Sequence, residues 1–415
     1  MRLKGHVSRV KKSIFSNKRF LSLLSGQGVS YFGDSVTSVA LPILILTVTG
    51  SGFLMGLVGA LEVAPVFIVG LPAGVWVDRW NRNMIMLISE FGRAVLMAMI
   101  PAATLMHAPI MPVVVFVAIL SGTLGVFFGA AYTGMIPRIV APEELGRANG
   151  YFEAIESAAY ALGPSIAGIL TSKIGPSYTI GLDALSFIFS AISIFSLRGI
   201  GNESPQRSSE RKNFFAEMRV GFKTVAQDSV LKAITLLWGS NRLAFAALIP
   251  TLTFFVLKTL HGGPEQVGVS VSIYAVGSLL GTLLGSRIPN HLGMVTAVCA
   301  QVLMFVGTIL LSTTHWVPVV FGCSAILGFG EGLLLVIYLT YRVSRVSGDV
   351  VGRVYAITST TTQGMGAIGY LIIGSLLSIW GGHITGFVLS VLSVLGIISS
   401  LFVLNKGGAQ RSTKH

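Results

Sequence analysis

The residues best placed to do chemistry are charged side chains set inside long apolar stretches: Asp34, Glu62, Glu90, Arg93, Glu153, Glu156, Asp183, Arg242 and Glu331. An ionisable group in hydrocarbon is costly, so each one marks either a pairing or a function. Depth follows from the ends of the apolar runs at about 1.5 Å per helical residue. On that count Asp34, Glu62, Arg93 and Arg242 fall near the middle of a bilayer, with Glu156 and Glu331 close to it. Glu90, Glu153 and Asp183 fall nearer an interface. Carboxylates outnumber arginines at depth, so some are buried without a fixed cation, where desolvation favours the protonated form. A carboxyl exposed first to one side and then to the other can carry a proton across. Asp34, Glu62, Arg93, Glu156, Arg242 and Glu331 are therefore the candidates for proton coupling or substrate binding.

Each also has a plain structural reading. Glu90 and Arg93 stand at i and i+3 and can neutralise one another, and Asp34 reads also as a salt-bridge partner of Arg93 or Arg242. Glu153 and Glu156 share that spacing but repel, so at least one needs an outside cation or a proton. Asp183 reads as a helix-end hydrogen bonder near the outer surface. Arg242, beside Asn241, reads equally as a counter-ion for a first-half carboxylate, and Glu331 lies in the tightly packing run Gly328-Phe329-Gly330-Glu331-Gly332. Enzyme chemistry has no foothold. HExxH, GxSxG and Walker patterns are absent, and none of the histidines (His6, His107, His261, His291, His315, His383, His415) is near the centre of an apolar run. Cys299 and Cys323 offer neither metal-ligand spacing nor a disulfide framework. The expectation is a non-enzyme with no metal and no cofactor.

What must position these charges is a membrane-spanning helical protein. Of 415 residues, 53% are hydrophobic and 11% charged, against about 25% charged in soluble domains. A membrane helix needs roughly 20 mostly apolar residues. Twelve such runs fall near 21–48, 53–77, 84–106, 111–136, 149–172 and 177–197, then 231–257, 267–286, 292–313, 316–339, 354–379 and 384–404. Lys and Arg gather on alternate connections: the basic opening MRLKGHVSRVKKSIFSNKR, Arg79, Arg82, Arg138, Arg147, Arg287, Arg342, Arg345, Arg353 and the tail. The intervening turns hold almost none, which places both termini in the cytoplasm of a multi-pass protein of the plasma or inner membrane. The net charge of +13 is then a membrane-face signal and implies no nucleic acid.

The segment 200–230 divides the chain into a six-helix bundle at 1–199 and another at 231–415. It turns from polar to FFAEMRVGFKTVAQ, an amphipathic helix suited to the interface. The bundles repeat. At an offset of 206, Gly146-Arg147 matches Gly352-Arg353, Gly163 matches Gly369, Gly168 matches Gly374 and Gly175 matches Gly381. An even number of helices per repeat leaves both the same way up, the arrangement of two-bundle transporters that bind substrate between the bundles and rock one against the other. The fold class expected is an all-α membrane protein of twelve helices in two pseudo-symmetric bundles.

Between the second and third runs stands Gly74-Val-Trp-Val-Asp78-Arg79-Trp-Asn-Arg82, which resembles the G-x-x-x-D-R-x-x-R loop of the major facilitator superfamily. Gly150, Ala159, Gly163-Pro164 and Ala167-Gly168 fall at the spacing of that superfamily's antiporter motif, with alanine at two of its glycines. Gly33-Asp34, ELGRANG and GPSIAGIL further resemble the branch of macrolide efflux proteins and siderophore exporters. The resemblance covers the whole chain. It implies a monomeric secondary transporter that exports an amphiphilic small molecule against protons, with a substrate-specific importer or lysolipid flippase as the alternative. It also implies that the helix of Asp34 lines the cavity. Asp78, ending a helix where a carboxylate opposes the dipole, wants a partner in Arg79, Arg82 or the helix start at Gly352-Arg353. A contact made in one conformation and broken in the other is a latch. Its second-half counterpart reads Gly285-Ser-Arg-Ile-Pro289-Asn290, with proline at the aspartate position.

Overall fold

The computed structural model describes residues 14–197, 214–346 and 350–412, and among them all regular structure is helical. In chain order the α-helices are α1 (Lys18–Thr49), α2 (Gly52–Val63), α3 (Pro65–Arg79), α4 (Arg82–Leu105), α5 (Ile110–Ile139), α6 (Leu145–Ile174) and α7 (Pro176–Phe195). They continue with α8 (Phe214–Gln227), α9 (Ser229–Phe245), α10 (Leu248–Phe254), α11 (Pro264–Gly285), α12 (Gly293–Thr313), α13 (Val317–Ser344) and α14 (Val351–Ser412).

The ends are set by local chemistry. The Asn17 side chain caps α1 by accepting from the backbone N–H of Arg19 and Phe20, and Gly50 stops it in the left-handed region at φ 66°. Ser51 caps α2, Asn81 caps α4 and Asp228 caps α9 in the same manner. The run 53–77 is not one straight helix but the pair α2 and α3, because Pro65 removes an N–H at the junction. The run 231–257 likewise divides into α9 and α10, four residues ahead of whose Pro250 the freed carbonyl of Ala246 lies; a π-helical turn, Phe255–Thr259, follows. α14 breaks at Gly381 (φ 74°, ψ −172°). α8 forms where the amphipathic pattern placed it, with Phe222 exposed and Gly221 lying on the backbone of Arg353.

Among the described residues ten segments are long and apolar enough to cross a bilayer. α14 counts as one of them despite its break, and α6, with its charges, is not among them. Helices α1 to α7 pack mainly on one another, as do α9 to α14; the main contacts between the two sets are α6 on α11 and α2 on α14. Both seams close at the end bearing the turns at Gly50, Gly175 and Gly262. There Gly56 lies on the Tyr370 carbonyl and Gly374, and Gly268 lies on the Pro164 carbonyl and Gly168. Phe53 N–H donates to Ser378 Oγ at 2.7 Å, and Ser165 Oγ to Ser272 Oγ at 2.8 Å. The apolar core follows suit. Toward the Gly50 end one core takes Ile43, Met55, Ile100 and Phe187 from the first set with Phe255 and Ile373 from the second. Toward the Arg82 end there are two cores, one around Phe20, Met86 and Met135 and the other around Ile234, Trp238 and Leu334. Among the described residues the apolar cores of the sets are thus joined at one end and separate at the other.

The glycine repeat has a geometric counterpart. Gly175 and Gly381 both turn the chain at positive φ, 83° and 74°. Gly163 packs on α1 and Gly369 on α9; Gly168 meets α11 and Gly374 meets α2.

Candidate substrate and coupling site

Where the sets meet at mid-height there is a cavity of about 320 Å³. α1 contributes Asp34, Thr37 and Ser38, α2 contributes Met55 and Glu62, and α4 contributes Arg93 and Met97. Tyr160 of α6, Ile249 and Pro250 of α10 and Tyr370 of α14 complete the wall. The lining is half polar in character at one pole and aliphatic, sulfur and aromatic elsewhere, as in pockets for amphiphilic ligands.

The polar pole is an ion pair. Arg93 Nη2 lies 2.6 Å from Asp34 Oδ1, and the guanidinium stacks over Phe187 at 4.0 Å from the ring centroid. This differs from the neutralisation of Glu90 by Arg93 that their spacing allows: a partner from the neighbouring helix α1 takes the arginine. Glu90 is fully buried, and neither carboxylate oxygen has a hydrogen-bond partner among the described residues. Glu62 opens onto the cavity and makes no hydrogen bond or ion pair among them. Arg93 is the cation that acts on Asp34, Glu90, Asp183 and Glu62 together.

Asp183 is not a helix-end group at the outer surface. It is fully buried against Gly33, with Thr37 Oγ1 donating to Oδ2 at 2.7 Å and Ser186 Oγ to Oδ1 at 2.7 Å. It stands directly behind Asp34, and Thr37 connects it to the cavity. Glu156 is half-buried on α6, and its charged neighbours are the acids Glu153 and Asp34. Arg242 and Glu331 of the second set do not line the cavity; Arg242 is the charge acting on Glu331 and also acts on Tyr370 of the cavity wall. Thr37, Ser38, Tyr160 and Tyr370 carry no charge and so gave no signal in the sequence. Only the small residue beside Asp34, Gly33, hinted that another side chain approaches there.

The loop motif is described in part. α3 ends at Arg79, and Arg82 donates to the Gly134 carbonyl of α5 at 3.1 Å. The backbone carbonyl of Arg353 lies on Gly221. The side chains of Gly74, Asp78, Arg79 and Gly352 fall outside the described residues. Of the antiporter-like motif, Gly163 lies on Ser35 of α1, while Pro164 and Gly168 form the α11 seam; Gly150 has open space beside it.

The sequence matches the pattern of the Major Facilitator Superfamily over residues 23–256 and again over 234–414. The chain belongs to the Major Facilitator Superfamily. It is therefore a multi-pass membrane transporter and not an enzyme. Among relatives, it is 27% identical over 379 residues to the multidrug efflux pump Tap of Mycolicibacterium fortuitum, which covers 88% of this chain and 91% of that protein. It is 24% identical over 349 residues to macrolide efflux protein A of Streptococcus pyogenes, covering 82% and 85%. Among solved structures, a bacterial homologue of the iron transporter ferroportin in an inward-facing state superposes with a TM-score of 0.71 at 16% identity, over 95% of this chain and 99% of that one. At that identity the likeness speaks for the superfamily fold alone.

Proposed function

We propose that this transporter exports an amphiphilic small molecule, a drug or a siderophore, in exchange for protons by alternating access. The observation that carries the reading is the cavity between the two helix sets with the Asp34–Arg93 pair in its wall. One guanidinium cannot compensate Asp34, Glu62, Glu90 and Asp183 at once. Burying unpaired charge is prohibitive, so the surplus is carried as protons. The efflux names of the relatives favour a drug over other cargo.

In this reading the chain crosses the membrane twelve times, in bundles at 1–199 and 231–415 joined by 200–230. α6 is a span whose Glu156 faces the interior, and the break at Gly381 makes two spans of α14. The Arg82 end, with its basic residues, is cytoplasmic, so the joined core at the Gly50 end closes the cavity to the outside. The protein works as a monomer in the plasma or inner membrane.

Inside-out membrane vesicles with an acid interior and radiolabelled erythromycin test this. Export against protons predicts accumulation that an ionophore abolishes. Accumulation indifferent to the gradient removes the coupling, and gradient-driven loss of preloaded label supports an importer instead. Vesicles that instead move a labelled lysolipid favour the flippase alternative.

A further inference from the structure

Arg93 has an unmade hydrogen bond and so does its neighbour. Its Nε is buried without a partner, while Glu90, one helical turn earlier on α4, buries two unpartnered carboxylate oxygens. Residues at i and i+3 present their side chains to one another. A donor without an acceptor thus stands one turn from a buried carboxyl that has the Ser190 hydroxyl beside it but no cation on it. Arg93 is instead engaged by Asp34 and stacked on the Phe187 ring. We propose that Glu90 is the standby partner of Arg93, taking the guanidinium when Asp34 gains a proton.

The exchange balances. In the observed arrangement Asp34 is ionised on Arg93 and Glu90 holds a proton, as a fully buried carboxyl without a hydrogen-bonded cation must. In the other, Asp34 takes a proton from the cavity, Arg93 swings one turn toward the Arg82 end, and Glu90 gives up its proton on the side of Ser190. That hydroxyl lies beside Glu90 and accepts from Gln27 Nε2 at 3.1 Å. Beyond it on α7 follow Ser193 and the more exposed Ser196, which pairs with Ser22 Oγ at 2.7 Å. The trio of Asp34, Glu90 and Arg93 keeps one positive charge, one negative charge and one proton throughout, so neither arrangement buries a lone ion. Asp183 remains on Thr37 and Ser186 and Glu62 remains in the cavity. Glu90 acts through Arg93 and is a positioning residue.

The inference rests on Asp34 as the coupling carboxyl, but its test uses purified protein in detergent, with no substrate and no transport, so a failed erythromycin assay leaves it standing. In Asp34→Asn the arginine passes to Glu90 and the melting temperature stays near that of the wild type. Glu90→Gln alone keeps the observed pair and also stays near it. Asp34→Asn/Glu90→Gln strands Arg93 and melts about 5 °C lower. Infrared spectra supply the second reading. The wild type shows a protonated-carboxyl band that Glu90→Gln removes, and Asp34→Asn removes it too, because Glu90 is then ionised. The proposal is overturned if Asp34→Asn alone melts as low as the double variant, if the two losses simply add, or if the Glu90 band survives in Asp34→Asn.

Discussion

The two halves of the chain share a scaffold and differ in chemistry. α6 and the first part of α14 hold equivalent glycines, cross equivalent seams and end at equivalent positive-φ turns. Around the first half's arginine, Arg93, gather Asp34, Glu62, Glu90 and Asp183. In the second half Glu331 has Arg242 as its acting charge, and neither residue lines the cavity. Repetition therefore explains the shape but not the site. The first half holds the carboxyls gathered around an arginine, and the second supplies α10 and α14 as the facing wall. The proposed antiport needs only one set of coupling groups, provided that both walls move relative to each other.

The largest expected effect sharpens that contrast directly. Arg93→Met leaves Asp34 unpaired beside further carboxyls and costs about 3–5 kcal/mol of stability, measured by thermal unfolding in detergent. Arg242→Met, which breaks no direct ion pair among the described residues, costs less. Equal losses would mean that the halves are not chemically distinct.

The seams come next. A methyl group on Gly56 would meet the Tyr370 carbonyl, and one on Gly268 would meet the Pro164 carbonyl. Gly56→Ala and Gly268→Ala should each cost the observed state roughly 1–3 kcal/mol by overpacking. Each should then raise the labelling of a cysteine placed at Ser38 by a reagent added from the Gly50 side. Similar gains from both variants support equivalent seams; a gain from one alone breaks the symmetry of the repeat.

The smallest effect concerns the loop at Asp78. Asp78→Asn should slow turnover while leaving ligand binding within about twofold, since a contact made in one state shifts a conformational equilibrium without touching the cavity. Equal loss of binding and turnover would place Asp78 in the site rather than in a latch.

Much of the fold was legible because bilayer thickness imposes a length and the absence of water imposes helices. The interruptions at Pro65 and Pro250 were not legible, because hydropathy merges each pair into one run and registers no missing N–H. The site was less legible than the fold. Sequence spacing and depth left Arg93 open to Glu90 or to Asp34, and the fold couples it to Asp34, 59 residues away and on another helix. Depth counted from Pro176 left Asp183 near an interface, and only the tight α1–α7 packing at Gly33 shows it buried behind Asp34. Pairing across helices is a tertiary property, and one chain's spacing does not encode it.

The central claim is that Asp34 carries the coupling proton. Asp34→Asn keeps the size and hydrogen-bonding capacity of the side chain and fixes its charge at zero. In proteoliposomes with erythromycin, the variant should still exchange labelled for unlabelled compound across the membrane while losing accumulation under an imposed proton gradient. Accumulation equal to the wild type, from a variant that is folded and inserted, would contradict the account.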